Sequence, residues 1–294
     1  MIAGIPTLPQ HQLERLRVGY EREVVRRRRR VLAVLGTLFV LVLAASRCGE
    51  VDIANLLHHL SGLTSYFGRI MPTLRMTHFS ADIADWYWNF SGWLKLLFDT
   101  VLTAYLATLI GTLGAGLLAS VAAVNLAPNA IVRWCVKRLF EFCRTVPDLV
   151  FALLFVGAFG LGPLAGVLAI GIHSFGTLGK LFIEVIENID MKPIDGVRSA
   201  GGSFATAVRF GALPQVLPIL ASYSLLRFEI NVRASSIIGF VGAGGIGQDL
   251  FVAIRKFYYS DVSAILLMII VAVSIIDLAT ERVRHRLAPI ETLA

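Results

Sequence analysis

The sequence predicts an all-α membrane protein with about six transmembrane helices. Of its 294 residues, 56% are hydrophobic and only 16% are charged, and the mean hydropathy is +0.73. A soluble domain is usually about 25% charged. Apolar runs long enough to cross a bilayer recur along the chain, and Lys and Arg cluster between alternate runs. Because lipid cannot satisfy backbone hydrogen bonds, such isolated runs are expected to be helices.

Proline, glycine or charged clusters separate six apolar runs. The runs are residues 31–47, 94–124, 140–160, 164–188, 214–241 and 261–280. The first run is short, but the arginines at 26–30 can extend its helix while their guanidinium groups reach the headgroups. A cleaved signal peptide is the alternative. About thirty residues precede this run and no clear small-residue cleavage site follows it in SRCGEVD, so a retained span is predicted.

The positions of Lys and Arg predict that both termini are cytoplasmic. RRRRR precedes the first run, RVRHR at 282–286 follows the last, and two further basic clusters fall in loops on the same side. The 48–93 loop, with the aromatic stretch DWYWNF, is then extracytoplasmic. Topology therefore explains the net charge of +7, and no nucleic-acid partner is expected.

The same reasoning divides the chain into segments. They are a basic cytoplasmic segment 1–30, a first transmembrane helix 31–47, an extracytoplasmic loop 48–93, a core of five transmembrane helices 94–285 with a cytoplasmic loop 189–213, and a cytoplasmic tail 286–294.

The stretch GFVGAGGIGQDL at 239–250 has the G-x-G-x-x-G spacing of a dinucleotide-binding turn. That site needs a buried strand before the glycines and an acidic residue about 20 positions after them. The preceding segment is too polar for such a strand, and LLMIIVAVSII lies at the acidic position. The sequence therefore argues against nucleotide binding at these glycines.

Other signatures of catalysis are missing from the sequence. It contains no phosphate-binding P-loop, no G-x-S-x-G and no H-E-x-x-H. Neither the three cysteines nor the histidines have metal-ligand spacing, so no catalytic residue and no metal site is predicted. Any energy for work on a solute would have to come from elsewhere.

The most informative segment is the predicted cytoplasmic loop DGVRSAGGSFATAVRFGALPQVLP at 195–218. Pro193 suits a first helical turn, Gly201 and Gly202 allow a sharp reversal, and Ser203 can cap the next helix. A short rigid helix between glycine and proline corners buries little within its own chain. Its shape favours docking against a separate protein.

This loop resembles the EAA loop of ATP-binding-cassette (ABC) importer permeases, whose pattern is E-A-A, three residues, G, nine residues, then I-x-L-P. The spacing matches in full, although four positions carry substitutions. The corresponding residues, in the order of the pattern, are Asp195, Gly196, Val197, Gly201, Gly211, Leu213 and Pro214. FALLFVGAFGLGPLAGVLAIGIH at 151–173 and SYSLLRFEINVRASSIIGFVGAGGIG at 222–247 are similar to permeases of phosphonate importers.

The resemblance implies a type I ABC importer permease in a bacterial inner membrane, in contact with lipid. It implies a homodimer of this subunit, two cytoplasmic ATPase subunits that use ATP and Mg, an extracytoplasmic substrate-binding protein, and no cofactor on this chain. The ATPase-coupling residues are then Asp195, Gly196, Val197, Arg198, Ala200, Gly201, Leu213 and Pro214. The carried solute would be a phosphonate or a related phosphorus oxyanion. The alternatives are an ABC permease for another small solute such as an amino acid, and a secondary transporter, which the lack of an inverted repeat disfavours.

Charged and polar side chains and glycines near the fifth run are candidates for the substrate path or gate. They are Arg227, Glu229, Asn231, Arg233, Gly242, Gly244, Gly245 and Gly247. The acid-first i,i+4 spacing of Glu229 and Arg233 predicts an intrahelical pair. Arg227 is left over, either to face a passing anion or to pair with Asp148 or Glu184. The glycines are either part of a gate or a simple loop between helices.

Overall fold

A computed structural model describes residues 10–49, 53–73, 75–126 and 129–287, and all regular structure in these ranges is helical. The chain divides after Phe67 into two compact units. The amino-terminal unit contains helix α1, Gln10–Cys48, and helix α2, Ile53–Ile70, begins in it. Helix α1 begins at Gln10 and continues through the arginines, so the described part of the basic segment 1–30 is helical and joins the predicted helix 31–47 without a break. No proline interrupts residues 10–48.

The 48–93 segment was expected to be a loop, and most of its described part is helical. Helix α2 occupies 18 residues of it, and helix α3, Phe79–Trp86, occupies eight more. Both contain polar side chains at intervals that interrupt the hydropathy signal, so neither resembles a membrane span. The remaining helices are α4 Phe90–Ala122, α5 Ala130–Thr145, α6 Asp148–Phe159, α7 Pro163–Glu187, α8 Lys192–Ser199, α9 Phe204–Ala207, α10 Leu213–Ile238, α11 Ile246–Arg255 and α12 Tyr259–Leu287.

In the part of the chain that the structure describes, five helical stretches are long and apolar enough to cross a membrane, and a sixth is present if a bent helix pair counts as one span. The bent pair is α5 with α6, which meet at 85°. The prediction of one continuous helix at 140–160 is therefore wrong. Pro147 lacks a backbone N–H and disfavours helical geometry in the residue before it, and Val146 is accordingly extended, with φ −76° and ψ 123°.

Helix α7 lies at the centre of the carboxy-terminal unit and packs against α4, α5, α6 and α10. Small residues allow the close approach. A Cβ atom on Gly111 of α4 would lie 3.0 Å from the backbone nitrogen of Phe175, and one on Gly176 of α7 would lie 2.6 Å from the backbone nitrogen of Arg144. Contacts between small residues are typical of helix pairs in membranes, where no water drives association.

Helix α3 is fixed to the start of α12 by tryptophan hydrogen bonds. The indole nitrogen of Trp86 donates to the Ser260 carbonyl oxygen at 3.2 Å and to Ser263 Oγ at 3.0 Å. The indole nitrogen of Trp88, just after α3, donates to Asp261 Oδ1 at 3.1 Å. Although α3 is only two turns long, these side chains give it a defined position.

A pair formed by Arg75 and Asp82 closes the turn before α3. Asp82 accepts the Arg75 backbone N–H at 2.7 Å and a guanidinium N–H at 2.9 Å. These hydrogen bonds hold the pKa of Asp82 below its usual value, and the one from the Arg75 side chain has a larger effect than the one from its backbone. Because the pKa of Asp82 is lowered, the pair stabilises the turn fully at pH values above the ordinary carboxyl pKa. This stabilisation is lost as the pH falls through the lowered pKa of Asp82.

We therefore expect slow amide exchange at Arg75 to persist at a pH where an ordinary aspartate is half protonated, and to be lost only at lower pH. Hydrogen exchange followed by mass spectrometry can measure this protection. Asp82→Ala is the control and should exchange rapidly across the whole range. Equal exchange rates at Arg75 in the wild type and in Asp82→Ala would contradict the pairing of Arg75 with Asp82.

Candidate transport path and coupling loop

Helix α8 is held against the π-helical turn that precedes α10 by its one buried side chain. The Lys192 backbone N–H donates to Asp190 Oδ1 at 3.0 Å, and Pro193 lies in the first turn as predicted. Ile194 is fully buried and packs against Gly211, where an added Cβ would lie 3.0 Å from the Ile194 Cα. Gly211 belongs to a π-helical turn, Val208–Ala212, that joins α9 to α10. Close backbone packing therefore couples any movement of α8 to α10.

The end of α8 has the hydrogen bonds of a Schellman cap. The Gly202 N–H donates to the Val197 carbonyl and the Gly201 N–H to the Arg198 carbonyl, both at 2.9 Å. Gly201 has φ +81°, which confirms the predicted reversal. Ser203 then caps α9 by accepting the Thr206 N–H at 3.4 Å, also as predicted.

Most of the predicted coupling residues are exposed on or beside α8. Asp195, Gly196, Arg198, Ala200 and Gly201 are exposed, and Val197 is half-buried. Asp195 and Arg198 approach to 3.9 Å. Leu213 and Pro214 are also exposed, but they begin α10 on the far side of the π-helical turn. The loop thus presents one short, polar helix to the solvent.

Two braces that the sequence analysis missed hold the base of this loop. Gln215 Nε2 donates to the Asp190 carbonyl at 3.0 Å, and its Oε1 accepts the Asp190 N–H at 3.1 Å. Asn125 Nδ2 donates to the Ile186 carbonyl at 2.7 Å, while Glu187 accepts from the Val124 N–H at 2.9 Å and pairs with Lys137 at 3.0 Å. The residues joined by these hydrogen bonds lie 25 to 63 positions apart in sequence, so local sequence patterns do not indicate the contacts.

A buried polar cluster joins α4, α7 and α10 in the middle of the bundle. Asn231 is fully buried, and its Nδ2 donates to Thr108 Oγ1 at 2.8 Å and to Ser174 Oγ at 2.9 Å. Ser174 Oγ also accepts from Arg227 Nε at 3.0 Å. Of the predicted path residues, Arg227 and Asn231 are brought together here, through Ser174. Sequence analysis named neither Thr108 nor Ser174, because hydroxyls on apolar helices are common.

Arg227 keeps most of its hydrogen-bonding capacity unused. It is half-buried, and its two terminal amino groups have no hydrogen-bond partner among the residues that the structure describes. The Asp148 carboxylate is near enough to attract it electrostatically, but the two form no ion pair within 4 Å. Glu184 instead pairs with Lys180 at 3.4 Å. An arginine oriented by one hydrogen bond, with its fork free, is suited to bind an oxyanion.

Glu229 and Arg233 form the predicted intrahelical pair and extend it to α12. Arg233 also approaches Asp277 at 3.4 Å, and Glu229 approaches Arg284 at 3.7 Å. These four charges neutralise one another in pairs between two helices. Among the described residues, no hydrogen bond or ion pair joins these four side chains to the Arg227 cluster, and their ion pairs link α10 to α12.

The glycine segment forms a tight turn between α10 and α11. Gly242, Gly244 and Gly245 have φ values of +92°, +81° and +73°, which a side chain would resist. Gly247 lies so close to α10 that an added Cβ would overlap the Ser236 carbonyl oxygen. A helix, not a strand, precedes the turn, which removes the context that a dinucleotide site needs.

A cavity of about 10 Å³ lies beneath the glycine turn, with the buried, unpartnered hydroxyl of Ser235 in its wall. This volume is close to that of a single water site. The Ile246 N–H donates to Thr100 Oγ1 at 2.9 Å beside it. Within the described ranges, no group of three or more His, Cys, Asp or Glu side chains could hold a metal ion.

Residues 113–289 match the family described as the binding-protein-dependent transport system inner membrane component. The chain belongs to this family. Its fold and multi-pass helices are those of an inner-membrane transport subunit, and the match includes the coupling loop at 189–213. Family membership confirms the resemblance drawn from that loop and places the chain with membrane transport components.

Individual members of the family are similar over much of the chain. The phosphite transport system permease protein PtxC of Stutzerimonas stutzeri is 36% identical over 276 residues, which cover 93% of this chain and 94% of PtxC. The putative cryptic phosphonate transport system permease protein PhnE2 of Escherichia coli K12 is 46% identical over 118 residues, which cover 40% of this chain and 97% of PhnE2.

A solved structure supports the fold. An inward-facing MetNI methionine ABC transporter aligns with a TM-score of 0.57 at 17% identity, over 67% of this chain and 96% of the solved chain. At this identity the likeness concerns the fold alone. Together with the family match, it confirms the all-helical type I ABC importer permease fold.

Proposed function

We propose that this chain is the permease subunit of an ATP-driven ABC importer and carries a phosphonate, phosphite or related phosphorus oxyanion. The observation that carries the proposal is Arg227, whose free guanidinium fork lies beside a buried polar cluster within a membrane span. Relatives named as phosphite and phosphonate permeases, one of them similar over 93% of the chain, support the same solute class.

The physical basis is the cost of an ionised side chain at membrane depth. Such a group is stable there only if it is paired or faces water, and the partial burial of Arg227 without an ion pair favours an aqueous path. Ser174 orients the guanidinium group by accepting from its Nε, and hydrogen bonds from Asn231 to Ser174 and Thr108 extend this chain across three helices. A phosphorus oxyanion offers two oxygens that match the fork, whereas an uncharged solute gains little from it.

The proposal includes a complete assembly around the chain. Two copies would form the pathway, two cytoplasmic ATPase subunits would dock on α8 and use ATP with Mg, and an extracytoplasmic binding protein would deliver the solute. The exposure of α8, together with the packing of Ile194 on Gly211, supports this role because it offers a surface for docking and a rigid connection to α10. This chain itself would bind no cofactor.

We expect Arg227→Gln to lower uptake of the oxyanion by roughly tenfold or more, because a charge-assisted hydrogen-bond partner contributes about 1.5–3 kcal/mol. Subunit assembly and basal ATP hydrolysis should stay at wild-type levels. Arg227→Lys keeps the positive charge but lacks the planar fork, so its uptake should lie between that of the wild type and that of Arg227→Gln. Radiolabelled uptake into proteoliposomes, with gel filtration of the complex, measures both properties. Loss of assembly with unchanged uptake per assembled complex would make Arg227 a structural residue.

The proposed orientation has both termini in the cytoplasm, with α8 on the same side. Cys48 is the last residue of α1 and Cys135 lies in α5, and both thiols are exposed while Cys143 is buried. A membrane-impermeant thiol reagent on intact cells should therefore label Cys48 and leave Cys135 unlabelled until the cells are permeabilised. Labelling of Cys135 alone would reverse the topology.

A further inference from the structure

We infer that the five arginines at residues 26–30, here termed the arginine collar, bind the phosphate groups of anionic phospholipids around helix α1. The inference concerns a surface that the transport proposal does not use. It is independent of which solute the chain carries.

The collar lies at the boundary between a polar and an apolar half of one helix. Helix α1 continues without a break from Gln10 to Cys48, and the apolar stretch begins at Val31, directly after the last arginine. Residues 25–45 are all exposed. The arginines are therefore fixed at the point where this helix would enter the hydrocarbon.

The collar surrounds the helix instead of marking one face. Successive residues of an α-helix are about 100° apart, so five in a row cover more than a full turn, within an axial rise of about 6 Å. The headgroup region of each leaflet is about 5–8 Å thick. A layer of phosphates can reach all five guanidinium groups at once, whereas a protein partner would contact one side of the helix and leave two or three of them unpaired.

The described residues of the amino-terminal unit do not neutralise the positive charge of the collar. None of the five arginines forms a hydrogen bond, an ion pair or a cation–π contact with another described residue of that unit. The upstream Arg17 does pair, with Glu21 at 3.3 Å. The basic end of α12 is also partly neutralised, because Arg284 approaches Glu229 at 3.7 Å and His285 approaches Glu281 at 3.8 Å. The collar is thus a concentrated and unpaired cation ring, for which phosphate is the complementary ligand.

The test uses the purified full-length chain in phosphatidylcholine bilayers that contain a trace of spin-labelled phosphatidylglycerol or phosphatidylcholine. Electron paramagnetic resonance gives the fraction of each lipid that the protein immobilises. We expect roughly fivefold preference for the anionic lipid. Substitution of all five arginines by Gln should bring the preference close to one, and substitution of all five by Lys should retain it. Both leaflets have the same composition, so a chain inserted in the opposite direction reports the same value.

Three outcomes would overturn the inference. They are no anionic preference in the wild-type chain, an undiminished preference in the glutamine chain, and loss of the wild-type preference on addition of millimolar inorganic phosphate, which would identify a site for the soluble ion. If the glutamine-substituted chain fails to incorporate into bilayers, the effect of salt on the lipid preference of the wild-type chain tests the inference. The preference should weaken at high salt, and a preference that is insensitive to salt contradicts binding by the collar.

Discussion

A Gly201→Val chain is expected to insert into the membrane normally and to lose most of its uptake. Gly201 has φ +81° at the end of α8, a conformation that a β-branched side chain resists by about 1–2 kcal/mol. The strain would break the Schellman cap, in which the Gly202 and Gly201 N–H groups satisfy the last carbonyls of the helix. Helix α8 would then fray or tilt, while the membrane spans would keep their packing.

The expected defect is in coupling and not in the solute path. In the proposed assembly α8 transmits the movement of the ATPase, so the complex should either lose the ATPase or retain hydrolysis that loaded binding protein no longer stimulates. Pull-down and ATPase assays on the same membranes separate these two results.

Gly196→Ala provides a matched control in the same helix. An added Cβ at Gly196 meets no atom within 4 Å, and alanine favours the helix by up to about 1 kcal/mol. We expect normal uptake from this chain. Wild-type, substrate-stimulated transport in Gly201→Val, and also in Gly201→Val combined with Asp195→Ala, would show that α8 is only a connector.

The coupling loop could be predicted from the sequence because its signals are local. Pro193, Gly201 and Ser203 each specify a turn or cap within a few residues, and all three occur in the structure as predicted. The pairing of Glu229 with Arg233 is local in the same sense. Interactions within one helical turn can be inferred from spacing alone.

The features that sequence analysis missed depend on contacts between distant segments. Gln215 and Asn125 brace the coupling loop through backbone groups far away in the chain, and Ser174 orients Arg227 across 53 residues. The bend at Pro147 was missed for a different reason. Hydropathy averages across a proline, so two short helices at 85° have the same apolar profile as one straight span.

The glycine segment at 239–250 shows how one pattern can have several physical origins. Its spacing suggests a phosphate-binding turn, and the resemblance to permeases suggests a gate. In the structure, Gly242, Gly244 and Gly245 supply positive φ angles, whereas Gly247 has helical geometry and supplies only space. A sequence cannot distinguish these two uses of glycine, because both mean only that a side chain is absent.

Gly247→Ala is therefore expected to destabilise the fold by about 1–3 kcal/mol, the usual cost of forcing a methyl group into a close-packed site. The new Cβ would overlap the Ser236 carbonyl oxygen and lie 3.3 Å from the Gly239 Cα, so α11 would have to move away from the end of α10. Backbone conformation adds no penalty, because alanine readily adopts helical angles. Thermal unfolding of the purified chain in detergent measures the loss.

Gly116→Ala is the control for this steric argument. Gly116 lies within helix α4, and an added Cβ there meets no atom within 4 Å, so alanine should leave the unfolding temperature unchanged or raise it slightly.

A gate would give a different pattern of stability and uptake from a packed turn. If Gly247→Ala unfolds like Gly116→Ala but slows uptake strongly, the contact between α10 and α11 opens during transport, and the segment acts as a gate. If Gly247→Ala unfolds at a clearly lower temperature and uptake falls only in proportion to the folded protein, the segment is a packing turn.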